Sequence, residues 1–74
     1  MIITDAVSFG AAIREKRKEK GYTQTYLSGV TGFSVSFISD LENGKSTIEL
    51  GRALTLANVL GMDLMMVSRG AQLL

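Results

Sequence analysis

The sequence predicts an all-α fold: a bundle of four helices, or five, closed by a short C-terminal β-strand. Three observations predict it. Thr23 to Gly44, TQTYLSGVTGFSVSFISDLENG, reads as a helix, a tight turn and a second helix. Helical stretches flank that unit on both sides, each opened by a capping residue and closed by a glycine. Met62 to Ser68, MDLMMVS, is the one segment after the helices with strand character.

Taken in order, Met1 to Asp5 reads either as a short strand or as a frayed arm. Asp5 or Ser8 caps the first helix, which runs from about Val7 to Lys20 with Phe9, Ala12 and Ile13 at helical spacing and charges opposite. Gly21 ends it. Tyr22 precedes the next cap and is placed to pack as a hydrophobic staple. Thr23 caps the second helix, because its hydroxyl accepts from an orphan N–H one turn in. That helix offers Tyr26, Leu27 and Val30 to the core. Glycine costs ~1 kcal/mol against alanine inside a helix, so Gly29 suggests a close helix crossing. Gly32 supplies the left-handed exit, Ser34 caps the third helix, and Asn43-Gly44 stops it. Ile38 and Leu41 face inward. Ser46-Thr47-Ile48-Glu49 reads as a capping box opening a fourth helix to about Leu60. That helix is apolar almost all round and so wants a second surface, and Gly51 suggests another close approach. Gly61 ends it. The Leu64–Val67 strand cannot satisfy its own backbone. The simplest partner is the same segment of a second copy, antiparallel about a two-fold axis, with Met1 to Thr4 the weaker alternative.

Seventy-four residues make a single domain over 1–74, with a helical core over 6–60 and a dimerisation strand over 62–68. A chain this short buries only about 60% of its unfolded surface. It has no Cys and no His for a disulfide or a zinc site, which leaves dimerisation as the remedy. No metal or cofactor is expected. No apolar run approaches the ~18 residues of a membrane span, and the N-terminus lacks the basic head of a signal peptide. A cytoplasmic location is expected.

Net charge is only +1, but it is unevenly spread. Arg14, Lys16, Arg17, Lys18 and Lys20 outnumber Glu15 and Glu19 in the first helix. From Tyr22 to Thr47 the sole base is Lys45, against Asp40 and Glu42. Two short helices joined by a Gly-containing turn form the unit that sets a recognition helix into a DNA major groove. Its slightly acidic character here argues against strong phosphate-driven binding by one copy. Catalysis is not expected: without His or Cys, a site would need paired carboxylates in a pocket or an activated Ser or Lys.

The stretches KGYTQ, GFSVSFISDLENGKST and LGRALTLANVLG resemble the Xre/Cro-type helix-turn-helix family of phage and bacterial repressors. The pairing of ISDLENGK with the downstream ELGRAL is most similar to HipB-type antitoxins, repressors encoded beside HipA-type kinase toxins. The resemblance spans roughly Phe9 to Val67 and implies a lambda-repressor-like bundle. It implies a homodimeric repressor on palindromic double-stranded operator DNA, with a HipA-type kinase toxin as a further partner. Carried over position by position, Thr23 and Gln24 open the second helix, where Gln24 would contact phosphate. Ser34, Val35, Ser36 and Phe37 begin the recognition helix, Asp40 continues its groove side, and Asn43 and Lys45 contact the backbone beyond. Arg17 and Glu42 match a structural salt bridge, and Leu64, Met65, Met66 and Val67 match a strand that pairs across the dimer. Many relatives carry Gln, Arg or Asn at the reading positions, where this chain has Val35, Ser36 and Phe37. The competing implication is a protein-interaction module with vestigial DNA binding, or a stand-alone phage-type repressor.

Overall fold

A computed structural model of the chain describes residues 2–69. Four helices follow one another: α1 (Ala6–Glu19), α2 (Gln24–Thr31), α3 (Val35–Glu42) and α4 (Leu50–Val59). No fifth helix and no strand occurs among the described residues.

The caps are set by local side chains. Asp5 accepts from the Ser8 N–H at 2.7 Å, and the Ser8 hydroxyl accepts from the Asp5 N–H at 3.1 Å, so the two candidate caps of α1 act together. Gly21, Gly32, Gly44 and Gly61 follow or end the four helices, and all have positive φ. The need for glycine is clearest at Gly44. There φ is +81°, and an added Cβ would lie 2.8 Å from the Val7 Cα on α1.

The fourth helix starts differently from the expectation. Ser46 and Thr47 lie in a turn closed by the Ile48 N–H donating to the Lys45 carbonyl at 3.2 Å. That turn swings Ile48 against the core. Glu49 is itself the cap, its carboxylate accepting from the Arg52 N–H. The Ser-x-x-Glu spacing is present, but the turn takes Ser46 away from the helix start.

The core consists of Ile13 from α1, Leu27 from α2, Ile38 and Leu41 from α3, and Ala53, Leu56, Ala57 and Leu60 around α4. Tyr22 packs on it from the start of α2. Leu27 alone of α2 is fully buried; Tyr26 and Val30 remain about half exposed, contrary to expectation. The cause is that α2 is two turns long and lies at the edge of the bundle, with α3 on one flank. Helical spacing sets Tyr26 and Val30 on the flanks of the Leu27 contact, where Tyr26 lies against Tyr22 at 4.7 Å between ring centroids.

The close helix contact also falls elsewhere. A Cβ at Gly29 would meet nothing, and one at Gly51 would meet only the exposed Glu49 carboxylate. A Cβ at Gly10 would collide with the backbone carbonyls of Leu41 and Glu42. Gly10 is therefore what lets α1 lie directly on the end of α3.

Candidate nucleic-acid interface

The α2–turn–α3 unit is fastened at each corner by a side chain bonded to backbone. The Thr23 hydroxyl accepts from the Tyr26 N–H at 2.9 Å and opens α2. At the turn, the Thr31 hydroxyl donates to the Leu27 carbonyl and accepts from the Phe33 N–H. Gly32 takes φ of 78°. The Ser34 hydroxyl accepts from the Phe37 N–H at 3.0 Å and opens α3. Each of these bonds satisfies a helix-end group that would otherwise need water.

Beneath the unit lies a buried polar network. The Arg17 guanidinium donates to both Glu42 carboxylate oxygens, through Nε at 2.7 Å and Nη2 at 3.0 Å. Its Nη1 donates to the Tyr22 carbonyl at 2.9 Å. The Gln24 amide donates to Glu42 Oε1 at 3.1 Å. One carboxylate at the end of α3 thus gathers the end of α1, the α1–α2 link and the start of α2. The Glu42 side chain is 2% exposed and that of Arg17 10%. The hydrogen bond to Glu42, more than its charge, raises the Arg17 pKa above the usual arginine value, against the opposing effect of burial.

With Ile38, Leu41 and Glu42 buried on one side of α3, the opposite side is left as a stripe. Val35, Ser36, Ser39, Asp40 and Asn43 recur at the spacing of one helical face. Val35, Ser36 and Asn43 are exposed, and Ser39 and Asp40 partly so. Asp40 faces Lys45 at 3.5 Å, and the Asn43 amide donates to the Ser39 hydroxyl at 3.4 Å. The stripe offers hydroxyls, a branched apolar group, a carboxylate and an amide. These can meet thymine methyls, several base edges and the cytosine amino group.

Among the other sequence-derived site residues, Thr23 and Ser34 cap the helices, Lys45 faces Asp40, and two more are engaged within the fold. Phe37 turns toward the core, edge-on to Phe33 at 5.4 Å between ring centroids, with the Arg52 guanidinium 5.7 Å from its ring. Its place on the wheel, beside Ile38, directs it there. Gln24 spends one amide N–H on Glu42 and keeps its second N–H and its carbonyl oxygen. Conversely, Ser39 belongs to the stripe although no family motif position marks it. Its sequence signal is its place between Ser36 and Asn43, three and four residues away. Of the four bases of α1 and Lys20 just beyond it, Arg17 is buried in the network and Lys16 pairs with Glu19 at 3.2 Å. Arg14, Lys18 and Lys20 are exposed and make no ion pair among the described residues. Leu64, Met65, Met66 and Val67 are exposed along an extended tail. No group of metal-ligating side chains and no helix long and apolar enough to cross a membrane occurs among the described residues.

Residues 13–65 match the family model described as Helix-turn-helix (HTH_3). The chain is 37% identical over 68 residues to an uncharacterized HTH-type transcriptional regulator, y4mF, of Sinorhizobium fredii (strain NBRC 101917 / NGR234), covering 92% of this chain and 90% of that one. It is 41% identical over 58 residues to the ImmF control region 10 kDa protein of Bacillus phage phi105, covering 74% of this chain and 64% of the other. Among solved structures it superposes on a HipB-O4 20mer complex with a TM-score of 0.84 at 20% identity, over 93% of this chain and 97% of that chain. At that identity the likeness is one of fold.

Proposed function

Because the chain belongs to the helix-turn-helix family, we propose that it is a sequence-specific transcriptional repressor. It acts as a homodimer, each subunit laying α3 into a major groove of palindromic operator DNA. Its half-sites lie about one helical turn, ~34–36 Å, or a multiple apart. Its family is one of transcriptional regulators, not of enzymes.

The observation that carries this reading is the division of labour on α3. One side is tied down by Ile38, Leu41 and the Glu42 network, and the stripe opposite takes almost no part in holding the fold. Val35, Ser36, Ser39 and Asp40 contact bases. Thr23, Gln24, Ser34, Asn43 and Lys45 contact the backbone that flanks them. Dimerisation rests on Leu64 to Val67, whose backbone groups bond to nothing else among the described residues. The reading extends to an antitoxin that also binds a HipA-type kinase toxin in the cytoplasm. Its support is the ISDLENGK–ELGRAL resemblance together with the HipB fold likeness.

A second reading, a module that works through protein contacts, is favoured by one observation. The stripe carries no cation, and neighbouring Lys45 sits against Asp40. A salt titration separates the two. A repressor dimer neutralising two or three phosphates per half-site should lose affinity for selected palindromic DNA with a log–log slope of roughly −4 to −5. No retention of any duplex from a random library at low salt would favour the protein-contact module. A kinase-like reading frame beside the gene would support the antitoxin role; a solitary gene would count against it.

A further inference from the structure

The tail carries a charge pattern that the homodimer reading leaves unused. Asp63 and Arg69 lie six residues apart, are exposed, and make no ion pair or hydrogen bond among the described residues. Between them lie Leu64, Met65, Met66, Val67 and Ser68.

In an antiparallel two-fold pair, residues facing one another have numbers with a constant sum, and facing residues share a face. If the axis passes through Met66, Asp63 of each copy faces Arg69 of the other. Met65 then faces Val67, Leu64 faces Ser68, and Met66 faces its own counterpart. One face of the ribbon reads ion pair, apolar pair, apolar pair, ion pair. Moving the axis by one residue, to Met65, places Asp63 against Val67 and Arg69 against Gly61, and leaves both charges unmatched.

The body of the protein favours the same arrangement. Met62, Asp63 and Leu64 line a groove of about 430 Å³ together with Phe9, Ala12 and Ala57. Glu15, Lys16 and Glu19 of α1 line it too, and Lys16 is already paired with Glu19. Two acids of the lining, Glu15 and Asp63, thus have no ion pair among the described residues. A second strand laid along Leu64 would bring its Arg69 to these acids.

We propose that the second copy's tail pairs antiparallel with this one about an axis at Met66, its register set by two symmetry-related Asp63–Arg69 ion pairs. This rests on the homodimer reading and adds its geometry.

The test is a charge swap read by analytical ultracentrifugation at low salt. Asp63→Arg alone and Arg69→Asp alone should each weaken the homodimer roughly tenfold, since two attractive cross-strand pairs become repulsive. An equimolar mixture should regain wild-type affinity to within about twofold, because the Asp63→Arg copy presents two cations to the two acids of the Arg69→Asp copy. High salt should shrink all these differences. Both positions are exposed, and far-UV circular dichroism verifies that each variant folds. The chain has no Cys of its own, so Met66→Cys should cross-link readily under mild oxidation and Asp63→Cys should not. A dimer indifferent to the swaps, a mixture no tighter than its components, or preferred cross-linking at position 63 would overturn the register while leaving the homodimer standing. A wild-type chain that stays monomeric at every concentration, alone and on DNA, would overturn the homodimer and the register together.

Discussion

Replacing Glu42 by alanine tests whether the carboxylate beneath α3 holds the reading unit together. The side chain is 2% exposed and accepts three hydrogen bonds, two from Arg17 and one from Gln24. Its removal strands a guanidinium that is itself 10% exposed and keeps only the Tyr22 carbonyl. Breaking one side of a buried pair costs about 3–5 kcal/mol. The guanidinium retains a little solvent contact, so the lower end, ~3 kcal/mol, is expected here. At about 0.05–0.15 kcal/mol per residue a domain of this length has a total stability of only about 4–11 kcal/mol. The loss should lower Tm by about 12–24 °C, followed by circular dichroism on heating and in urea. The paired replacement Arg17→Met with Glu42→Leu removes both charges and should recover most of the stability, since a buried pair and an apolar pair of similar volume are often equivalent. It should still bind operator more weakly, because Gln24 has lost its anchor. A loss below ~1 kcal/mol for Glu42→Ala, or equal losses for the single and paired replacements, would refute the reasoning.

Gly10→Ala should cost ~3 kcal/mol or more in urea unfolding, because the new methyl meets two backbone carbonyls that cannot rotate away. Gly29→Ala, with open space around it, should instead stabilise by ~0.5–1 kcal/mol. Phe37→Ala should lose ~2 kcal/mol of stability while leaving the base preference in a random-library selection unchanged, since the ring packs on the core. The Asp5 carboxyl titrates below the usual carboxylate value, chiefly through the Ser8 N–H bond. A pKa lowered by folding adds stability that is present above the unfolded-chain value and lost as pH falls through the folded one. Wild type should therefore lose more stability over that acid window than Asp5→Ala; equal losses would refute the cap. A chain ended at Gly61 should sediment as a monomer and bind operator far more weakly, since both half-sites must be engaged together.

The helices were legible because their punctuation is local. Asp5 with Ser8, Thr23 and Ser34 act within three residues of themselves, as do the glycines that follow each helix. What was not legible depends on which neighbour lies opposite. Gly29 and Gly51 look as suited to a helix crossing as Gly10, but only Gly10 has another helix over it. The 46–49 segment has capping-box spacing, yet burial of Ile48 draws the chain into a turn first. In the site, Arg17, Gln24 and Glu42 meet across 18 and 25 residues of sequence, a proximity that only family resemblance could suggest. Ser39 is legible from helical periodicity, three and four residues from Ser36 and Asn43, although no family motif position falls on it.

The stripe on α3 has a consequence for how such a protein changes its target. Val35, Ser36, Ser39 and Asp40 lie outside the buried core and the Glu42 network, so on the repressor reading proposed above the address they would spell is rewritable without disturbing the letterbox. Randomising these four positions among residues other than glycine and proline should give a library in which most members fold, as circular dichroism would show. Any change of operator would then come from chemistry at the surface, with the bundle beneath acting as an inert handle.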